Sequence, residues 1–185
     1  MTSRPAIGRT LLFLLGGWLF LSLSMSFVAS ANFAILKPAN LRSAETVYAS
    51  IPAGEPRNLA LRYAASEINR SLFRNYNRVQ LGLALLCLVL NTLSGDGGRW
   101  RRFLLLLAFA LCAVFVWSIT PWMIDHGRQI DFMSRDPEPE AVTKFKRLHS
   151  LSVGMELVKM ASILAVGVAI IRDRRRDSRT TGENA

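Results

Sequence analysis

The sequence predicts an all-α, polytopic membrane protein: four transmembrane helices in an antiparallel bundle, with an amphipathic helical extension before the second span. Three observations predict it. The apolar residues make up 51% of the 185-residue chain and are gathered into four blocks. With its flanking helical residues, each block can cross about 30 Å of hydrocarbon, which takes roughly 20 residues. The cations give a formal net charge of +10 and collect at the block ends, where they set topology and meet anionic headgroups. Such a charge also suits nucleic acid, but no nucleic-acid module accompanies it, so no nucleic-acid partner is expected.

The first span is expected over residues 11–36. The stretch from Thr10 to Leu36 carries no charge and follows Arg4 and Arg9. Ala29-Ser30-Ala31 resembles a signal-peptide cleavage site. The apolar run continues past it through Phe33, Ala34, Ile35 and Leu36, which favours a retained helix. Ser22, Ser26 and Ser30 recur every fourth residue, a spacing that puts small polar groups on one face, suited to close helix contact.

Pro38, Pro52, Gly54 and Pro56 mark a loop. From Asn58, Leu61, Ala65, Ile68, Leu72, Tyr76 and Val79 recur at steps of three and four, the helical period. Glu67, Arg70, Arg74 and Arg78 occupy another face. This predicts an amphipathic helix over residues 58–78 that runs unbroken into the second span, residues 79–94.

Ser94-Gly95-Asp96-Gly97-Gly98 is a turn, and Arg99, Arg101 and Arg102 follow it. The third span is expected over residues 103–121, ending at Pro121, with Trp100, Trp117 and Trp122 at its ends where interfacial aromatics belong. A polar segment with Pro137 and Pro139 separates it from a helix restarting near Ala141. That helix becomes the fourth span, residues 151–171. The four spans form one domain, residues 1–171, and residues 172–185 are expected to be a basic, disordered tail.

The N-terminus, the Arg99–Arg102 turn and the Arg172–Arg179 tail would share one side. Their high Lys/Arg density predicts cytoplasmic termini in a multi-pass membrane protein. Arg99, Arg101, Arg102, Arg172, Arg174, Arg175 and Arg176 are the expected lipid headgroup contacts.

The fourth span carries the residues best placed for chemistry. A charge inside the bilayer costs several kcal/mol, from about 2.5 upward, unless it finds a partner, a cavity or the interface. His149, Ser152, Glu156 and Lys159 share one helical sector. The plain reading pairs Glu156 with Lys159 three residues on. The functional reading makes His149, Ser152, Glu156 and Lys159 a polar pocket or ion path. Arg70, Arg74 and Arg78 read most plainly as a solvated or lipid-headgroup face, and the sharper reading pairs one of them with Glu156 or with an anionic ligand.

Cys87 and Cys112 lie inside apolar blocks and read as small, buried, reduced hydrophobes. With Met25, Met155 and Met160 they offer soft sulfur donors, but at no known ligand spacing, so no metal site is expected. No catalytic motif or cofactor fingerprint is present. The chain is not expected to be an enzyme or to carry a cofactor.

Three stretches carry a family resemblance: Ser66-Glu67-Ile68-Asn69-Arg70-Ser71-Leu72-Phe73-Arg74-Asn75-Tyr76, Ile119-Thr120-Pro121 followed by Ile124-Asp125, and Phe145-Lys146-Arg147-Leu148-His149-Ser150-Leu151-Ser152. Together, over residues 11–171, the chain resembles the transmembrane protein 205-like family, a four-helix membrane domain of unknown function. The resemblance implies four spans. An amide often stands in that family where this chain has Glu156, so the acid here is a departure.

These features imply a non-enzymatic accessory or scaffold protein, acting as a homo-oligomer or as a subunit of a membrane complex. The alternative is a small oligomeric transporter or channel for an ion or metal, with a polar site between the second and fourth spans.

Overall fold

The structure is a computed structural model that describes residues 4–41, 46, 50–95, 98–133 and 137–182. Four long helices account for most of it: α1 (Arg4–Ile35), α2 (Glu55–Ser94), α3 (Arg99–Ile130) and α4 (Glu140–Gly182). A short 3-10 turn, Pro38–Asn40, follows α1. The described residues form no strand. All four helices are long and apolar enough to cross a membrane.

Helix α2 is continuous over 40 residues, as the unbroken pattern between its basic half and its apolar half predicts. Pro56 stands in its first turn, where a missing N–H costs nothing. It stops at Gly95, whose φ of 72° lies in the left-handed region that glycine enters without strain.

Helix α3 corrects the expected stop at Pro121. The proline is absorbed instead, because Phe115–Ile119 widens into a π-helical turn in which the Thr120 N–H reaches back to the Phe115 carbonyl. Pro121 cannot donate a hydrogen bond, and its ring crowds the preceding turn of a regular α-helix. A wider turn relieves that crowding and lets the helix continue to Ile130.

Helix α4 likewise runs past residue 171 to Gly182, where a disordered tail is expected. Arginine is a good helix former, and no glycine or proline interrupts residues 172–181. Residues 183–185 lie outside the described residues.

Each helix packs chiefly on two neighbours: α1 on α2 and α4, and α3 on α2 and α4. Helices α2 and α4 therefore face each other across the centre. One apolar core draws on all four: Leu11, Leu15 and Trp18 from α1, Ala84 and Cys87 from α2, Leu105, Ala108 and Cys112 from α3, Ile163 and Val166 from α4. Cys87 and Cys112 are free and buried.

The inward face of α2 differs from the apolar stripe read in the sequence. The buried positions are Leu61, Ala65, Asn69, Tyr76, Asn77, Gln80, Ala84, Cys87, Asn91 and Ser94, while Ile68 and Val79 are exposed. The period is right but the stripe is rotated. Asn69, Asn77 and Gln80 turn inward to partners on α1 and α3, because a polar side chain removed from water needs one. The serine ladder of α1 is also not a contact face. Only Ser22 is buried, and Ser26 and Ser30 hydrogen-bond back to the carbonyls of Ser22 and Ser26.

Candidate functional site

A layer of polar side chains crosses the centre of the structure, on one side of the apolar core. Two connected groups build it, and all four helices contribute.

The first group is ionic. Glu156 and Lys159 stand three residues apart on α4, so they share a face. Lys159 Nζ donates to Glu156 Oε2 at 2.6 Å. The Tyr76 hydroxyl, from α2 opposite, donates to Glu156 Oε1 at 2.8 Å. The Lys159 side chain is wholly buried and that of Glu156 is 19% exposed. The ammonium also lies 5.7 Å from the Tyr76 ring centre and 5.4 Å from that of Phe115 on α3. Both aromatic faces add cation–π attraction where water is excluded. Ser22 of α1 is fully buried, and its Oγ has no hydrogen-bond partner among the described residues.

The second group is neutral. Trp18 Nε1 of α1 donates to Gln80 Oε1 of α2 at 2.7 Å. Gln80 Nε2 reaches Asn77 Oδ1 at a longer 3.4 Å, and Asn77 Nδ2 donates to Thr120 Oγ1 of α3 at 2.7 Å. Thr120 is the residue presented by the end of the π-helical turn. The relay ties three helices with groups that would each be costly in hydrocarbon alone.

A third polar contact pins the far part of α1. Asn32 Nδ2 donates to Asn69 Oδ1 at 2.7 Å, and Asn69 Nδ2 to the Ala29 carbonyl at 3.1 Å. The stretch that resembles a cleavage site is thus helical and bonded to α2.

An ionic clamp lies at the end of α3. Arg70 Nη2 donates to Asp131 Oδ1 at 2.6 Å and Nη1 to Glu67 Oε1 at 2.7 Å. The side chains of Arg70 and Asp131 are 9% and 6% exposed. Arg62 donates to the carbonyl of Asp131 at 2.7 Å. Gly127 makes room for Arg70, since a Cβ there would stand 3.1 Å from Arg70 Nη2.

The residues singled out in the sequence therefore separate. Glu156 and Lys159 meet at the centre. Ser152 is buried but bonds the Leu148 carbonyl of its own helix at 2.8 Å. His149 is exposed and stacks on Phe145. Arg70 pairs with Asp131 and Glu67, and Arg74 lines a groove between α2 and α3. Arg99, Arg102 and Arg172 are exposed. Arg101 is buried and pairs with Asp173 at 3.2 Å, and Arg174 packs over Gly8. The side chains of Arg175 and Arg176 lie outside the described residues. Among the described residues, no three His, Cys, Asp or Glu side chains gather as a metal site.

Tyr76, Asn77, Gln80 and Trp18 are the members the sequence reading passed over. The available signal was amide periodicity: Asn69, Asn77, Gln80 and Asn91 recur along the inward face of α2. No family model, curated protein or solved structure matches this chain.

Proposed function

We propose that this chain is a non-enzymatic integral membrane protein of the transmembrane protein 205-like family. Its four helices cross a bacterial inner membrane as an antiparallel bundle with both termini in the cytoplasm. It serves as an accessory or scaffold subunit. Contacts between helix ends support the antiparallel reading: Arg101 near the start of α3 meets Asp173 near the end of α4, and Gly8 meets Arg174. The lipid-facing role of the outer surface is supported by the exposure of Phe13, Phe20, Phe27, Leu93, Trp117 and Leu164.

One observation carries the accessory role. Both oxygens of Glu156 are taken, one by Tyr76 and one by Lys159. Bound on both oxygens, the carboxylate ties the lysine of its own helix to the tyrosine opposite and holds α2 and α4 in one register. Buried ionic groups are best attested in such registry roles. Purification in a gentle detergent followed by native mass spectrometry tests this. A defined oligomer or a stoichiometric partner protein is expected. A bare monomer in every detergent used contradicts it.

The second reading is a small oligomeric transporter or channel for an ion or metal, with its site between the second and fourth spans. The partial exposure of Glu156, beside a wholly buried Lys159, favours it. Ion flux through proteoliposomes separates the two readings.

A further inference from the structure

A groove of about 450 Å³ opens between α2 and α3. Its walls follow from helical spacing. Arg74, Asn77 and Arg78 lie on one face of α2, and Thr120, Asp125 and Arg128 on the facing side of α3. We propose that this groove binds a phosphate oxyanion presented by the headgroup of an anionic phospholipid.

Charge and pairing argue for the oxyanion. Three guanidinium groups and one carboxylate line the groove, a local excess of positive charge. Arg70, one turn away, is spent on Asp131 and Glu67. Arg128 has only a long contact to Glu67, at 3.7 Å. Arg74 and Arg78 have no counterion among the described residues. Guanidinium forks match the paired oxygens of a phosphate, as they do those of a carboxylate. The floor is polar and held in place, because Asn77 donates to Thr120 and the π-helical turn sets the position of that threonine.

Position argues for the lipid source. The apolar stretch of α2 begins at Val79 and that of α3 ends at Ile119, so the groove sits where both helices leave their apolar lengths. Trp117 and Trp122 flank it at 67% and 57% exposure, placed as interfacial anchors.

The full chain in dodecyl maltoside, titrated with phosphatidylglycerol or phosphatidylcholine and read by native mass spectrometry, tests this. Phosphatidylglycerol is expected to be retained in preference to phosphatidylcholine. Arg74→Gln with Arg78→Gln should weaken retention about tenfold or more. Lys37→Gln with Arg147→Gln removes the same charge at two exposed positions that do not line the groove and should leave retention within about twofold. Asp125→Asn should strengthen it by relieving repulsion. Arg74 and Arg78 are exposed, so the variants should keep the wild-type melting temperature, and Arg74→Lys with Arg78→Lys should retain part of the affinity. Equal losses in the two glutamine pairs overturn the proposal, since charge alone would then explain binding. Inorganic phosphate binding that needs Arg74 and Arg78, without arginine-dependent lipid retention, overturns the lipid assignment.

Discussion

The Tyr76 hydroxyl reaches Glu156 Oε1 at 2.8 Å across the centre of the structure, joining two helices that are not neighbours. With Lys159 on the other carboxylate oxygen, this contact sets the rotation of α4 relative to α2. Its energetic consequence is asymmetric. Breaking a buried pair by removing one partner leaves an uncompensated charge and costs about 3–5 kcal/mol, whereas replacing both with apolar groups is often neutral. Glu156→Leu alone should therefore lower the melting temperature in detergent sharply. Glu156→Leu with Lys159→Met should recover most of the loss. A double variant as unstable as the single one would show that the pair itself is required.

Tyr76→Phe tests the hydrogen bond separately from the ring. The phenyl keeps the aromatic face near Lys159, so only the bond to the carboxylate is lost. Hydrogen bonds inside membrane proteins average well under those to isolated buried charges, and a cost of about 1–2 kcal/mol is expected. Tyr76→Ala should cost more, since it also removes a buried ring. Denaturant unfolding of the two variants ranks them.

The ionic clamp makes a matching prediction at the end of α3. Arg70→Met leaves the buried Asp131 carboxylate without its guanidinium and should destabilise by about 3 kcal/mol. Gly127→Ala should do so more mildly. The new Cβ would stand 3.1 Å from Arg70 Nη2, and the end of a flexible side chain can retreat a little. Thermal melts of both variants check the order.

Asn91 predicts a change in the other direction. It is 1% exposed, and neither its carbonyl oxygen nor its amide nitrogen has a hydrogen-bond partner among the described residues. A buried amide left unsatisfied costs about 1–3 kcal/mol. Asn91→Leu has similar volume and should raise the melting temperature. A fall would show that the amide is satisfied in solution.

Much of the helical layout was legible in the sequence because it depends on local quantities. Charge-free length gave the α1 segment, and the unbroken pattern from Asn58 gave a single α2. The three-residue spacing of Glu156 and Lys159 already allowed them to touch. What stayed hidden depends on which helices are opposite. Tyr76 reads as one more member of an apolar stripe until α4 brings a carboxylate to it. Asn77 and Gln80 read as polar interruptions until Thr120 and Trp18 accept and donate. Arg70 had two candidate acids nearer in space than Glu156, and nothing local places Asp131 beside it. At Pro121 the local rule was sound but incomplete. A proline breaks an α-helix, yet a π-helical turn lets the chain continue, and the cost is repaid by the packing of Phe115, Ile119 and Thr120.

In the proposed role, Glu156, Lys159 and Tyr76 lock helices together and do not conduct. Flux of protons, sodium and potassium through proteoliposomes, with wild type beside Glu156→Gln, tests it most directly. No flux above that of empty liposomes is expected in either case. A saturable flux in the wild type that Glu156→Gln abolishes would contradict it.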